Sequence, residues 1–334
     1  MEPAFAYSSS PSYDGTRHFG VLLHTVLSMT NMAQAAATNR VFLGTTAPSA
    51  GVLLTITASL LWGTTLVATG IGLHYTNPYN LVFLRFSAAS AAIVVLAVLF
   101  NGRLNVRMEL GRGATWVLGA IYALGYLFQY VGQDFANTSD ATLLSNLAPI
   151  LVPLAAFAVL KENISGAQIG AMGFGFLGLA LVASPKLRMG SGHLVGDLML
   201  FASSICYAFF IVLSKRLNAD SVASAFAIVV SITAFLAPVA FLLGGLNPLE
   251  LSIGATGWAY IVYLGLPCSV LALSLYLKGL NSITASQSAN LLLIEILIGL
   301  VLASLVLGET LSSFAATGAA SISVAIFLSS KRGN

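Results

Sequence analysis

From Gly51 to Ser330 the chain is a succession of apolar runs, 18 to 23 residues each, separated by short polar joints. As an α-helix, a run of that length covers a hydrocarbon layer of roughly 30 Å. Ten runs are present: Gly51 to Leu73, Tyr79 to Phe100, Ala114 to Gln133, Ser139 to Leu160, Ser165 to Ser184, Gly196 to Leu213, Ala223 to Leu243, Thr256 to Leu277, Ser286 to Leu307 and Leu311 to Ser330. None has the alternation of a membrane strand, and amides in the bilayer core have no water to bond, so the pattern predicts helices. Asn77-Pro78, Asn137-Thr138-Ser139 with Asp140 behind it, and Ser282 to Ser288 supply the turn chemistry expected at helix starts.

The pattern repeats. Gly132 to Glu162 and Gly279 to Glu309 align without a gap at an offset of 147 residues. Seven of the 31 aligned positions are identical: Gly132 with Gly279, Ser139 with Ser286, Leu144 with Leu291, Ala156 with Ala303, Val159 with Val306, Leu160 with Leu307 and Glu162 with Glu309. Apolar identities come cheaply between apolar sequences, so the Gly, Ser and Glu matches carry the inference of a duplication.

Composition fixes the compartment. Hydrophobic residues make up 57% of the 334 positions and charged residues 7%, against about a quarter charged in soluble domains. The chain therefore reads as an integral membrane protein with the lipid bilayer as partner. Cys206 and Cys268 lie inside apolar runs and read as small buried hydrophobes. The net charge of +3 is spread too thinly for nucleic acid, and no motif calls for a metal or cofactor. Met1 to Ala50 is rich in Ser, Thr, Asn and Pro, and its apolar piece, Phe19 to Leu27, is too short to span. This predicts a disordered polar leader; a signal peptide, or a true start at Met29 or Met32, are the alternatives.

Basic residues set the orientation. With the first helix starting inside, eleven of them collect on the inner side, against Lys186 and Arg188 outside, with Arg85 inside a helix. That bias places both termini in the cytoplasm of a cell-membrane protein. Five helices precede the Lys186 loop and five follow, so the second half enters the membrane the other way up. The expected fold is all-α, ten transmembrane helices in two inverted five-helix repeats, 51–184 and 196–330.

Trp62-Gly63 in the first run, Leu84-Arg85-Phe86 in the second, Pro149 and Glu162 around the fourth, Gly170 in the fifth, and Glu295 and Gly308-Glu309 around the ninth form an ordered set. That set resembles the EamA-type members of the drug/metabolite transporter superfamily. The resemblance covers about Gly51 to Ser330 and implies two inverted halves exporting small metabolites or amino acids through a central cavity. Ile296 stands where second repeats commonly have Pro, and Thr64-Thr65 where a polar residue such as Asn is frequent, so no substrate class carries over.

The charges inside the runs are the candidate chemistry. Arg85 either snorkels to the headgroups or meets a substrate carboxylate in the cavity. Glu295, near the middle of its run, is too short to reach either surface and reads as a proton-coupling or substrate-contacting group. Its repeat counterpart is Ala148, and that of Arg85 falls in the uncharged Val229 to Ile232; a charge in one copy only leans toward function. Trp62, Thr65, Gln129, Asn146, Tyr207, Tyr276 and Asn290 are the remaining candidate substrate contacts, with packing or interhelical hydrogen bonds as the alternative. Glu162 and Glu309 read as capping groups at helix joints. Gly166, Gly170, Gly173 and Gly178 suit close helix packing.

These readings converge on a secondary transporter for a small-molecule substrate, with a proton as candidate coupling ion. A nucleotide-sugar or triose-phosphate exchanger of the same fold would need several intramembrane cations, where Arg85 is alone. A membrane enzyme lacks its motifs: neither HExxH nor GxSxG occurs.

Overall fold

Specific hydrogen bonds start the helices at the polar joints. The Asn77 side chain accepts from the Asn80 N–H at 2.9 Å, and Pro78 takes the first helical position, where its missing N–H costs nothing. Ser165 and Gln168 form a reciprocal box: the Ser165 N–H donates to Gln168 Oε1 at 2.8 Å and the Gln168 N–H to Ser165 Oγ at 3.3 Å. Ser221 accepts from Ser224 N at 2.9 Å and Thr284 from Gln287 N at 3.0 Å.

The computed structural model describes residues 48–100, 105–135, 144–183, 194–247, 251–307 and 312–330. In chain order the helices are α1 Pro48–Gly63, α2 Thr65–Gly72, α3 Pro78–Leu99, α4 Val106–Leu110, α5 Gly113–Phe135, α6 Ala148–Leu160 and α7 Gly166–Ala183. They continue as α8 Leu194–Arg216, α9 Val222–Leu242, α10 Gly254–Gly265, α11 Ala272–Leu280, α12 Ala285–Leu292, α13 Ile294–Leu307 and α14 Ser313–Ser330. A π-helical turn, Leu266–Leu271, joins α10 to α11. Helix fills most of the described part of each apolar run, and no strand occurs among the described residues. Among the described residues seven helical stretches are long and apolar enough to cross a membrane, and Ala148–Leu160, Gly166–Val182 and Ser313–Leu328 are shorter apolar helices. Side chains such as Val98, Phe157, Ile169, Phe176 and Phe327 are exposed on the outside of the bundle, as lipid contact requires. The leader lies outside the described residues except at Pro48–Ala50, where α1 has already begun.

Several runs are discontinuous. Residues 144–145 are helical, Asn146 and Leu147 leave the helix, and α6 starts at Ala148; in the ninth run α12 ends at Leu292, Leu293 is a turn, and α13 resumes at Ile294. Asn146 and Leu293 are 147 residues apart, the offset of the repeat. Pro149 accounts for the first break, since its ring cannot follow a helical carbonyl four residues earlier. The second break occurs without proline. There α1 and α13 run so close that a Cβ on Gly63 would lie 2.8 Å from the Glu295 carbonyl oxygen and 2.6 Å from Ile298 Cβ, so packing shapes this segment. A third break, at Thr64, separates α1 from α2.

Helices of the two sequence halves interdigitate. α1 packs on α11 and α13, while α8, which opens the second half, packs on α5 and α6; α3 lies on α9, and α7 on α14. The α7–α14 contact is tight at Gly178, where an added Cβ would lie 2.7 Å from the Gly318 carbonyl oxygen. Gly166 and Gly173, expected to serve the same purpose, face open space, and Gly170 meets only Leu328 at ordinary contact distance.

Candidate functional site

One face of α5 carries Tyr122, Tyr126 and Tyr130 at helical spacing, with Gln129 and Gln133 beside them. This face looks into a cavity between the halves. Its walls are completed by Trp62, Thr65 and Thr69 from α1 and α2, Arg85 from α3, Asn146 at the fourth-run break, Tyr207 and Phe210 from α8, Tyr276 from α11, and Glu295 from α13.

Arg85 is 1% exposed, so its side chain stays in the interior and does not reach the headgroups. Nε donates to Ser269 Oγ at 2.7 Å, Nη1 to the Tyr130 hydroxyl at 2.9 Å, and Nη2 to the Tyr126 hydroxyl at 3.4 Å and the Cys268 carbonyl at 3.3 Å. The guanidinium carbon also lies 4.8 Å from the Tyr126 ring centre and 5.4 Å from that of Phe86. Every one of these partners is neutral, and no carboxylate among the described residues forms an ion pair with Arg85. A buried cation held only by dipoles keeps a large unspent attraction for an anion.

The π-helical turn makes this geometry available. Pro267 cannot donate to the preceding turn, the register slips by one residue, and the Cys268 carbonyl is turned to Arg85 and to Trp62, whose indole N–H reaches it at 2.8 Å. Ser269 Oγ in turn donates to the Leu264 carbonyl at 2.9 Å, so its lone pairs are presented to Arg85 Nε.

Across the cavity the aromatic side chains form a continuous wall. Tyr122 stacks on Phe210 with ring centres 3.9 Å apart, and Tyr207 meets Tyr122 and Tyr126 edge-on, both at 5.6 Å. The Tyr207 hydroxyl donates to Gln129 Oε1 at 2.6 Å. Trp62 lies 5.1 Å from Tyr276, whose hydroxyl accepts from Ser288 at 2.8 Å. Thr65 Oγ1 donates to the Trp62 carbonyl at 2.6 Å, so this side chain is partly occupied by its own helix. Glu295 lies in the first turn of α13, with no hydrogen bond or ion pair to another described residue. Among the described residues no three His, Cys, Asp or Glu side chains converge, so the cavity's polar chemistry is one cation, one carboxylic acid and neutral donors.

Eight of the nine candidate residues thus line one cavity: Trp62, Thr65, Arg85, Gln129, Asn146, Tyr207, Tyr276 and Glu295. Asn290 does not. It is 1% exposed within α12, and neither of its amide atoms has a hydrogen-bond partner among the described residues. Sequence reasoning passed over Tyr122, Tyr126 and Tyr130, although their i, i+4, i+8 spacing was a readable signal, and Ser269, whose role depends on the π-helical turn.

The profile of the EamA-like transporter family matches residues 49–184 and, a second time, residues 194–331. The chain belongs to the EamA-like transporter family. Similar sequences include the uncharacterized transporter YyaM of Bacillus subtilis (strain 168), 25% identical over 240 residues, which are 69% of this chain and 77% of that one. An uncharacterized transporter of Archaeoglobus fulgidus is 24% identical over 278 residues, 80% of this chain and 92% of its own. A crystal structure superposes with a TM-score of 0.72 at 19% identity, covering 84% of this chain and 97% of that one. This EamA-like chain is accordingly a multi-pass membrane protein of the transporter type, and the family profile's two matches fall on either side of Lys186 in the sequence.

Proposed function

We propose that this EamA-like protein is a secondary transporter exporting small carboxylate-bearing metabolites, amino acids foremost, across the cytoplasmic membrane by alternating access. In this reading ten helices span the bilayer as two inverted five-helix halves, residues 51–184 and 196–330, with both termini in the cytoplasm and the cavity between them. The observation that carries the substrate class is Arg85, a fully buried guanidinium on the cavity wall with only neutral partners. It takes the substrate carboxylate, and Glu295 on the same wall takes a proton or the substrate ammonium. The Tyr122–Tyr126–Tyr207 wall and the Trp62–Tyr276 pair accept the apolar remainder, with Gln129 and Asn146 as hydrogen-bonding groups. Thr65 belongs to the same lining. Among the described residues Arg85 is the only Lys, Arg or His in the lining, which disfavours a phosphate exchanger.

The test is flux into and out of liposomes holding the purified protein, with amino acids, cationic drugs and sugar phosphates compared under a pH gradient and without one. Carboxylate substrates should move fastest. Transport of cationic drugs alone would overturn the assignment of Arg85.

A further inference from the structure

A second polar cluster ties the two halves together away from the cavity. α6 ends in a left-handed turn at Lys161 (φ 58), and the Glu162 N–H closes back on the Ala156 carbonyl at 3.3 Å. This aims the Glu162 carboxylate at the start of α12, in the other half. Oε1 accepts from the Ala285 N–H at 3.0 Å, and Oε2 from the Ser286 N–H at 3.3 Å and from Ser286 Oγ at 3.2 Å. Lys215, in the last turn of α8, pairs with Glu162 Oε1 at 3.4 Å and donates to the Ile283 carbonyl. The Glu162 side chain is 14% exposed and that of Lys215 27%, so these charge-assisted contacts are partly screened from water.

The cluster and the cavity lie at different depths. On α6 the cavity takes Ala148 and Pro149, while Glu162 follows the far end of the helix, about 16 Å of rise away. On α12 Ser286 is in the cluster and Leu292 in the cavity wall, about 9 Å apart by the same measure. From the opposite end the cavity lining reaches Thr69, Gln133 and Ser145. Glu162 and Ser286 are both among the positions identical between the repeats, whereas the segment matching Lys215 at the same offset, residues 68–70, is Ala-Thr-Gly. The lysine of this ion pair therefore has no counterpart at the repeat offset, where Ala68 stands.

We propose that Glu162, Lys215 and the amino-terminal turn of α12 form a lock at the cytoplasmic end of the cavity, which must open in every transport cycle. The proposal rests on the alternating-access reading, and its test reads accessibility without using transport. Ile211 lines the cavity one helical turn before Lys215, so Ile211→Cys, in a background with Cys206→Ala and Cys268→Ala, reports on the passage. It is labelled with an impermeant maleimide from either face of oriented vesicles with no substrate present. With the lock intact, labelling comes mainly from the face opposite Lys215. Glu162→Gln and Lys215→Met each raise labelling from the Lys215 face by about fivefold and lower it from the other, a shift of the size that breaking one such contact gives.

Unchanged labelling from both faces in variants that keep their melting temperature reduces the cluster to a static cap and overturns the proposal. Lys215→Met keeps the aliphatic stem and leaves the helix cap in place, so it serves if Glu162→Gln does not fold. As a second measurement, a short bis-methanethiosulfonate joining Glu162→Cys to Ser286→Cys should cut flux at least tenfold, reversibly on reduction; full flux through the cross-linked protein also overturns it. Switched accessibility without flux of any tested solute would leave the lock standing and sink the substrate reading instead.

Discussion

A guanidinium with 1% of its surface exposed and no ion pair to a carboxylate among the described residues is costly to fold into a bilayer unless something repays its desolvation. On our reading the substrate does. Arg85→Ala should therefore lower kcat/KM for carboxylate substrates by about a hundredfold, as loss of charge-assisted bonds to a buried anion does, and Arg85→Lys should recover little, because an ammonium cannot span Ser269, Tyr130 and Tyr126 together. Equal losses for carboxylates and for cations, measured in the same liposomes, would point to a purely structural arginine. Glu295→Gln replaces that side chain with a neutral hydrogen-bond donor that cannot titrate, so a proton can be neither loaded nor released there. Flux should then lose its dependence on an imposed pH gradient while downhill flux persists; gradient-driven flux at the original rate would remove Glu295 from coupling. Both residues were legible in the sequence because a charge stands out in an apolar run. The face of the helix on which a polar residue falls was not legible, and Asn290, at a plausible position, proves to lie away from the cavity.

At the scale of the element, backbone geometry does work that composition does not announce. The π-helical turn at Leu266–Leu271 presents Cys268 and Ser269 to Arg85. Ser269→Ala removes one neutral acceptor from that cation, and should raise KM for carboxylates severalfold while costing about 1 kcal/mol of stability. The ratio of KM to kcat effects in flux assays separates this from general loosening. Helix contact offers a sharper contrast. A Cβ at Gly178 would lie 2.7 Å from the Gly318 carbonyl, whereas at Gly166 it meets nothing. Gly178→Ala should destabilise the protein by about 1–3 kcal/mol, seen as a lower melting temperature in detergent, and Gly166→Ala should leave it unchanged or slightly raised. The sequence shows glycines on one helix; only the α7–α14 packing distinguishes the one that must stay bare.

At the scale of the whole molecule, the helices of the two sequence halves interleave, and the proposed transport cycle depends on that packing. The proposed inverted arrangement makes a direct topological prediction. Asn163, after α6, and Asn247, after α9, are both exposed at joints, and an odd number of spans separates them in the ten-helix count. Cysteines placed at the two sites should be labelled from opposite faces, Asn163→Cys from the cytoplasm and Asn247→Cys from outside; labelling of both from one face would end the inverted-repeat reading. Glu162 shows how far the chain alone could be read. Its place after an apolar run marked it as a capping group, and it does cap a helix, but the helix is α12 of the other half, 123 residues away in sequence, and not the adjoining α7.

The length and polarity of each run determined from the sequence alone that the chain is helical, membrane-embedded and built from a repeated unit, because a bilayer allows few ways to satisfy a backbone and apolar length is read directly from composition. Periodicity within those runs says little, since nearly every side chain is apolar whether it faces lipid or protein. Which faces meet, where helices break, and which of the polar groups converge on one cavity were therefore decided by tertiary packing, through close approaches such as Gly63 on Glu295 and Gly178 on Gly318 that no local pattern specifies.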